Sequence, residues 1–429
     1  MRAAAFLYPW DVIGDPEAPG RLARLGVERV TLASAYHSTR ALTPRHPSHR
    51  IVTARHAAVL YPPDPARWED HTLRPYEQDW ARTGDPGGPY AAAARALTGA
   101  GIEVRSWVVL AHNSRLGAEF PYITVRNAYG DRYPWAPCVA RRDVREYLVN
   151  LAAEAAVRPG TGTRGTELES CGWYGLAHLH AHDKTGGVAL GGAAQYLMSL
   201  CFCDACEEGY ASLGADPEEL RTAVTGALEP VWRGEEPAAG LREAERAAVE
   251  ALLGPDRAAL FATWRGRAAR WLQREAVAAV RAEASHARPD TEFQVLLHAD
   301  PAAHRTGANA GTDPDDVLAH ADGVVVPCAP GPGGAAERAD ALGPFATRRH
   351  PTDPADPNEV NEANRAKGAT LAANFSVVTG MGGSPHTLAE DAAHARELGA
   401  TELRLYHAGL ASDQDLDAVA KALTGLPPG

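Results

Sequence analysis

Short apolar runs alternate with longer, Ala-rich amphipathic stretches along the whole chain. The apolar runs fall at Ala3–Tyr8, Arg29–Ala35, Glu103–Leu110, Gly165–Glu169, Glu292–His298, Gly323–Pro327, Ala369–Val377 and Glu402–Tyr406. Runs this short, bounded by Gly, Pro and Asp, read as strands. Apolar residues at helical spacing predict helices near Ala18–Leu25, Tyr90–Ala100, Asp143–Val157, Pro314–Ala319, Gly334–Leu342, Asn358–Lys367, Thr387–Leu398 and Asp413–Leu423. A longer helical stretch runs from about Glu207 to Ala287. Strand followed by helix, eight times over, predicts parallel strands joined by crossovers and closed into a (β/α)8 TIM barrel.

The 429 residues exceed the roughly 250 that such a barrel needs. The excess is expected in long loops after strands two, three and four and in a helical insertion at about 207–287, all within one barrel spanning 1–429. An open doubly wound sheet is the competing architecture. It is disfavoured because no G-x-G-x-x-G follows the first strand, where a nucleotide fold would carry it.

Composition narrows the partners. A formal charge of −12 and a pI near 5.8 argue against nucleic acid or an anionic membrane as ligand. No apolar run approaches the length of a membrane span, and Met1-Arg2 leads directly into the first strand without a leader pattern. Six cysteines suit a reducing compartment better than a disulfide framework, so a cytoplasmic protein is expected. The helical stretch after strand four is a candidate lid or a contact in a homo-oligomer.

In a barrel of this kind chemistry sits where strands end. Those ends carry Trp10 and Asp11, Tyr36 and His37, His112 and Asn113, Glu167 and Glu169, His298 and Asp300, Asn374 and Ser376, and Tyr406 and His407. Flat aromatic faces beside amides, imidazoles and carboxylates suit a sugar, which presents C–H surfaces and hydroxyls together. Glu167 and Glu169 alternate on one strand and share a face. Their mutual repulsion would raise one pKa into the range of a general acid, while the bland alternative is a salt bridge near the strand end. The loop that follows carries Trp173 and the alternating His178, His180 and His182, which suit substrate contact or a metal.

Cys201-Phe-Cys203-Asp-Ala-Cys206 packs three thiols into a C-x-C-x-x-C cluster suited to one tetrahedral zinc. Cys138 is the leading fourth ligand and Cys171 its competitor. An all-thiolate site is closed to substrate, so this metal is expected to be structural. The cysteines as mere small apolar residues fit poorly with their spacing beside Asp204 and Glu207.

Around the fourth strand the chain resembles the β-galactosidases of glycoside hydrolase family 42. The resemblance covers roughly residues 100–210. It rests on Cys138 ahead of Arg145-Glu-Tyr147, on Glu169 at the strand end, and on the cysteine triplet downstream. It implies a (β/α)8 barrel, a structural zinc on Cys138, Cys201, Cys203 and Cys206, and glycosidic bond cleavage with Glu169 as acid/base. The chain departs from that family in two places. Leu168 stands where an Asn precedes the acid/base, and Leu371–Ser376 carries no carboxylate where the nucleophile belongs. Asp300, or else Asp11, is therefore the expected second carboxylate. Trp10, Tyr36, His37, His112, Asn113, Trp173, His180 and Tyr406 are the expected sugar contacts. Two other classes stay open: a non-catalytic carbohydrate-binding barrel, and a lyase or isomerase using the histidine loop with a second metal.

Overall fold

The eight apolar runs form one closed, all-parallel barrel. The computed structural model describes residues 1–78, 83–158, 161–177, 183–235, 240–349 and 368–425. Its strands are β1 (Arg2–Leu7), β2 (Arg29–Tyr36), β3 (Glu103–Val109), β4 (Gly165–Glu169), β5 (Gln294–Asp300), β6 (Gly323–Pro327), β7 (Thr370–Ser376) and β8 (Glu402–Tyr406). Each pairs in parallel with its successor, and β1 pairs with both β2 and β8, which closes the ring.

The helices that follow the strands are α1 (Ala18–Arg24), α2 (Gly88–Gly99), α3 (Arg142–Ala156), α4 (Pro255–Ala287), α5 (Pro314–His320), α6 (Ala335–Arg349), α7 (Leu388–Glu397) and α8 (Asp413–Thr424). The helix expected over 358–367 lies outside the described residues. Strand residues facing outward, such as Val30, Val104, Leu168, Leu297, Val324 and Leu403, pack with helix residues such as Leu148, Leu272 and Val419 in the main apolar core.

The helical stretch after β4 differs from the single run read in the sequence. It breaks into helices over Asp204–Ser212, Pro217–Trp232 and Arg242–Leu253 before α4. The breaks have local causes. Asp216 caps the helix behind it by accepting from the Glu218 amide at 2.8 Å, with Pro217 at its first position. Gly254 takes φ +79, which ends one helix and lets Pro255 start the next. The last of these helices, α4, packs against α3 and α5, so it belongs to the helical ring itself. Two hairpins passed unseen in the sequence: Thr39–Leu42 with Ile51–Ala54, and Thr124–Arg126 with Arg132–Pro137. Their strands, three to six residues long, are too short to show alternation.

The lumen of the barrel is ionic. Its apolar part is a small cluster of Leu296, Val325 and Ala372. Below the mouth, Arg404 on β8 reaches across to Glu167 on β4 with Nε 2.7 Å from Oε1, both side chains 0% exposed. Thr31 on β2 donates to the same oxygen at 3.2 Å. Arg404 also contacts Glu402 at 2.9 Å, Arg29 bridges Glu402 and Glu103 at 2.9 and 2.8 Å, and Arg105 meets Glu103 at 3.3 Å. Three guanidinium groups thus face three carboxylates, so the buried charge balances. Burial works to raise the Glu167 pKa, but Arg404, His298 and Arg105 outweigh it and hold it at about 2.

Removing one partner of such a pair strands the other. Glu167→Gln is expected to cost about 3–5 kcal/mol in urea denaturation at pH 7. Because the folded-state pKa is depressed, this contribution is present above the ordinary carboxylate range. The gap between wild type and variant should therefore narrow as pH falls from about 4.5 toward 2. A gap that stays constant over that interval would contradict the ion-pair account.

Candidate active site

Glu169 ends β4, two residues above Glu167 and on the same face, so the strand that anchors one carboxylate in the lumen lifts the other to the mouth. Immediately beyond it Ser170 takes φ +55, a left-handed conformation that costs a residue with a Cβ about 1 kcal/mol. The turn is held by the Ser170 amide donating to Ala308 O at 2.8 Å and by the Ala111 amide donating to Ser170 O at 3.1 Å. Trp107 on β3 donates its indole N–H to Glu169 Oε2 at 2.8 Å. His298 on β5 places Nδ1 3.7 Å from the same oxygen, and its Nε2 lies 3.5 Å from Glu167 Oε2. Phe6 packs edge-on against Trp107, His298 and Tyr406 at centroid distances of 4.8, 5.6 and 5.6 Å.

Glu169 opens on a cavity of about 480 Å³ that it shares with His298, Asp300, Asn374, Ser376 and Tyr406. Asp300 is gripped by Arg242, whose Nε and Nη2 each lie 2.8 Å from one carboxylate oxygen, and Arg242 also reaches Asp340 at 2.7 Å. Arg242 starts the helix Arg242–Leu253, so the excursion after β4 supplies one wall of the mouth. Asn374 Oδ1 and Ser376 Oγ, both on β7, are buried without a hydrogen-bond partner among the described residues and line the same space. They are polar groups left open to a ligand. Tyr406 and Tyr36 approach hydroxyl to hydroxyl at 3.5 Å, and burial pushes the Tyr406 phenol up to about 12, so it stays neutral.

The other residues singled out in the sequence are placed less uniformly. Trp10 is fully buried and stacks on Tyr8 at 4.4 Å. His37 packs on Tyr36 at 4.2 Å and edge-on to His112 at 4.7 Å, and His112 stacks on Tyr174 at 4.7 Å, which makes an aromatic rim beside the cavity. Asn113 is spent on its own chain, capping the helix Ser114–Glu119 through the Leu116 amide at 3.0 Å. Trp173 turns away from the mouth: it is buried, donates to Arg265 O at 2.9 Å and carries that guanidinium 4.7 Å over its ring. Glu167 takes the salt-bridge role described above. His178, His180 and His182 lie outside the described residues.

Asp11 does not line the Glu169 cavity. It folds back to accept from the Tyr8 amide at 2.8 Å and sits 3.9 Å from His407 Nδ1. Arg45 lies on the same side, bonded to the carbonyls of Ala408, at 2.6 Å, and Ala411. Burial pushes the Asp11 carboxyl up to about 7, against the pull of the Tyr8 amide and Arg45. Arg242 passed unnoticed in the sequence, since nothing local ties it to Asp300. His298 stood among the strand ends, two residues before Asp300, and parity puts both on one face.

Four thiols come together beside this site. Cys138 Sγ lies 3.7 Å from Cys201, 3.5 Å from Cys203 and 3.7 Å from Cys206, and all four sulfurs fall within 4.8 Å of one another. None is in a disulfide and all are buried, whereas Cys171 and Cys328 stand apart from the group. A tetrahedron with metal–sulfur bonds of about 2.3 Å has edges of about 3.8 Å, so the cluster fits one ion. The Cys203 amide points at Cys201 Sγ at 3.5 Å, and Tyr210 OH donates to Cys201 O at 2.8 Å. Burial pushes the Cys138 and Cys206 thiols up, and a bound cation is what would favour their thiolates. The group lies where the hairpin after β3 meets the excursion after β4, a junction at which the Phe202 amide donates to Arg126 O at 2.6 Å.

No family model matches the chain, and no curated protein matches it. Solved structures do. The PgaB (BpsB) glycoside hydrolase domain from Bordetella bronchiseptica is similar at a TM-score of 0.53 and 13% identity, over 100% of both chains. A β-galactosidase from the psychrophilic Marinomonas ef1 is similar at 0.51 and 9% identity, over 99% of this chain and 59% of that one. An α-L-fucosidase isoenzyme 2 from Paenibacillus thiaminolyticus is similar at 0.48 and 11% identity, over 99% of this chain. The chain spans 49% of the length of that fucosidase. At these identities the likeness is one of fold.

A raised carboxyl pKa makes folding favour the protonated form. Stability from Asp11 is therefore complete below the ordinary carboxylate range and is lost as pH rises through about 7. Asp11→Asn keeps an acceptor for the Tyr8 amide and removes the titration. Relative to wild type it should gain on the order of 3 kcal/mol between pH 4 and pH 8, read from denaturation midpoints. A difference that does not change with pH would rule out the buried carboxyl as the cause.

Proposed function

We propose that the chain is a glycosidase in which Glu169 is the general acid/base for cleavage of a glycosidic bond and Asp300 is the second carboxylate. The observation that carries this reading is that both groups line one cavity at the barrel mouth together with the unpartnered Asn374 and Ser376. Glu169 has one oxygen fixed by an indole donor, which orients a carboxyl without supplying a competing base. Asp300 has both oxygens on Arg242, which fixes its orientation at the wall of the cavity that Glu169 also lines. Tyr36 and Tyr406, with the His37 and His112 rim, supply surfaces for sugar rings. The glycoside hydrolases among the fold neighbours agree with a carbohydrate substrate.

One observation favours a second reading, a barrel that binds saccharide without cleaving it. The end of β7 carries Asn374 and Ser376, where the resemblance to family 42 would require a carboxylate. Turnover of aryl glycosides separates the two. Glu169→Gln should lower kcat by about 10²–10⁴-fold with the melting temperature retained, and Asp300→Asn should lower it as well. Saccharide binding by wild type without any turnover would select the binding barrel instead.

The cysteine group is part of the same proposal, as a structural zinc site in a cytoplasmic protein whose thiols remain reduced. Elemental analysis should find one zinc per chain. Its removal by a strong chelator, or Cys203→Ser, should lower the melting temperature by several degrees or more, since a structural metal contributes directly to folding. Metal-free protein that melts unchanged would remove zinc from the account.

A further inference from the structure

We propose that His298 is the proton partner of Glu169, the two sharing a single proton, because Glu167 locked to Arg404 dictates which nitrogen of the ring keeps its hydrogen. Its consequence for catalysis rests on the acid/base reading of Glu169 given above; the proton sharing itself does not.

The imidazole is buried between two carboxylates, with Nε2 3.5 Å from Glu167 Oε2 and Nδ1 3.7 Å from Glu169 Oε2. These are charge contacts rather than formed hydrogen bonds, and among the described residues neither His298 Nε2 nor Glu167 Oε2 has a hydrogen-bond partner. A shift of a few tenths of an ångström converts each into a bond, the usual behaviour of catalytic contacts before substrate arrives. A neutral imidazole has one N–H and one lone pair, and a lone pair aimed at an ionised carboxylate is repelled. Arg404 holds Glu167 ionised, with its Nε at 2.7 Å. Nε2 must therefore carry a hydrogen.

With one proton on the other side, two arrangements are available. In one, Nδ1 is bare and accepts from a protonated Glu169. In the other, the proton has crossed from Glu169 Oε2 to Nδ1, giving imidazolium beside carboxylate. Both hold the same number of protons and the same total charge.

Among the described residues, no other group around the pair competes for that proton. Arg105 and Arg404, from β3 and β8, face Glu167 and stay cationic. Asp300, two residues along β5, is paired with Arg242. Burial raises the phenols of Tyr8, Tyr36, Tyr174 and Tyr406, which remain neutral. Phe6 carries no charge, and Trp107 can only donate. His298 thereby acts as a positioning residue that holds the shared proton against Glu169.

The test is nitrogen-15 NMR of the histidine side chains, in wild type and in Glu169→Gln. The wild-type measurement needs no His298 variant to fold. Where His298→Asn folds it identifies the signal; otherwise contacts to Phe6 do. Nε2 should stay protonated from pH 5 to 9, and the midpoint for Nδ1 should fall by one unit or more in Glu169→Gln. In a pH profile of kcat/KM, His298→Asn should move the alkaline limb at least one unit lower, a change that loss of packing alone would not produce. A bare Nε2 at neutral pH, or equal Nδ1 midpoints in the two proteins, overturns the proposal. Coupled midpoints in a protein that cleaves no glycoside would uphold the proton sharing and refute only the glycosidase reading.

Discussion

The ion pair between Arg404 and Glu167 is the constraint on which the mouth of this barrel depends. It joins strands on opposite sides of the lumen, 237 residues apart in the chain, with neither side chain reaching solvent. A charge buried that deeply has no tolerance for a missing partner. It admits one register for β4 against β8, since a slip of one residue would turn Glu167 into the helical layer. Thr31, Glu402, Arg29, Glu103 and Arg105 extend the network to β2 and β3, so half of the barrel's strands are keyed to one another by charge.

That registration delivers Glu169. Two residues beyond Glu167 correspond to a rise of about 6.6 Å, enough to lift a carboxylate from the lumen to the rim without changing its direction. Trp107 and His298 then meet it because β3 and β5 flank β4, and inward residues of neighbouring strands lie side by side. The two glutamates share one strand and one face yet have different surroundings. Glu167 is surrounded by cations, whereas Glu169 has an indole, an imidazole and the cavity. Mutual repulsion is not what sets the pair apart: Arg404 holds the Glu167 carboxyl well below the usual carboxylate range.

The loops contribute a second level of order. Cys138 and the cysteine triplet bring the hairpin after β3 up against the start of the excursion after β4. That excursion then passes over the mouth far enough to set Arg242 on Asp300 before α4 returns the chain to the ring. One βα connection thus both carries the thiol cluster and shapes the cavity wall.

The barrel was legible in the sequence because its signals are local. Apolar runs bounded by Gly and Pro marked β4, β6 and β8 to the residue, and the spacing of three cysteines announced a cluster wherever the chain placed it. Parity along β4 also put Glu167 and Glu169 on one face. Partnership was decided only by the tertiary structure. Nothing near Asp11 indicates that it bends back to the Tyr8 amide, and nothing near Trp173 that it packs on Arg265. Asp300 and Arg242 meet only because the excursion folds over the rim. Periodicity says which side of a strand a group occupies; which group stands opposite depends on closing the ring, and that closure involves every strand at once.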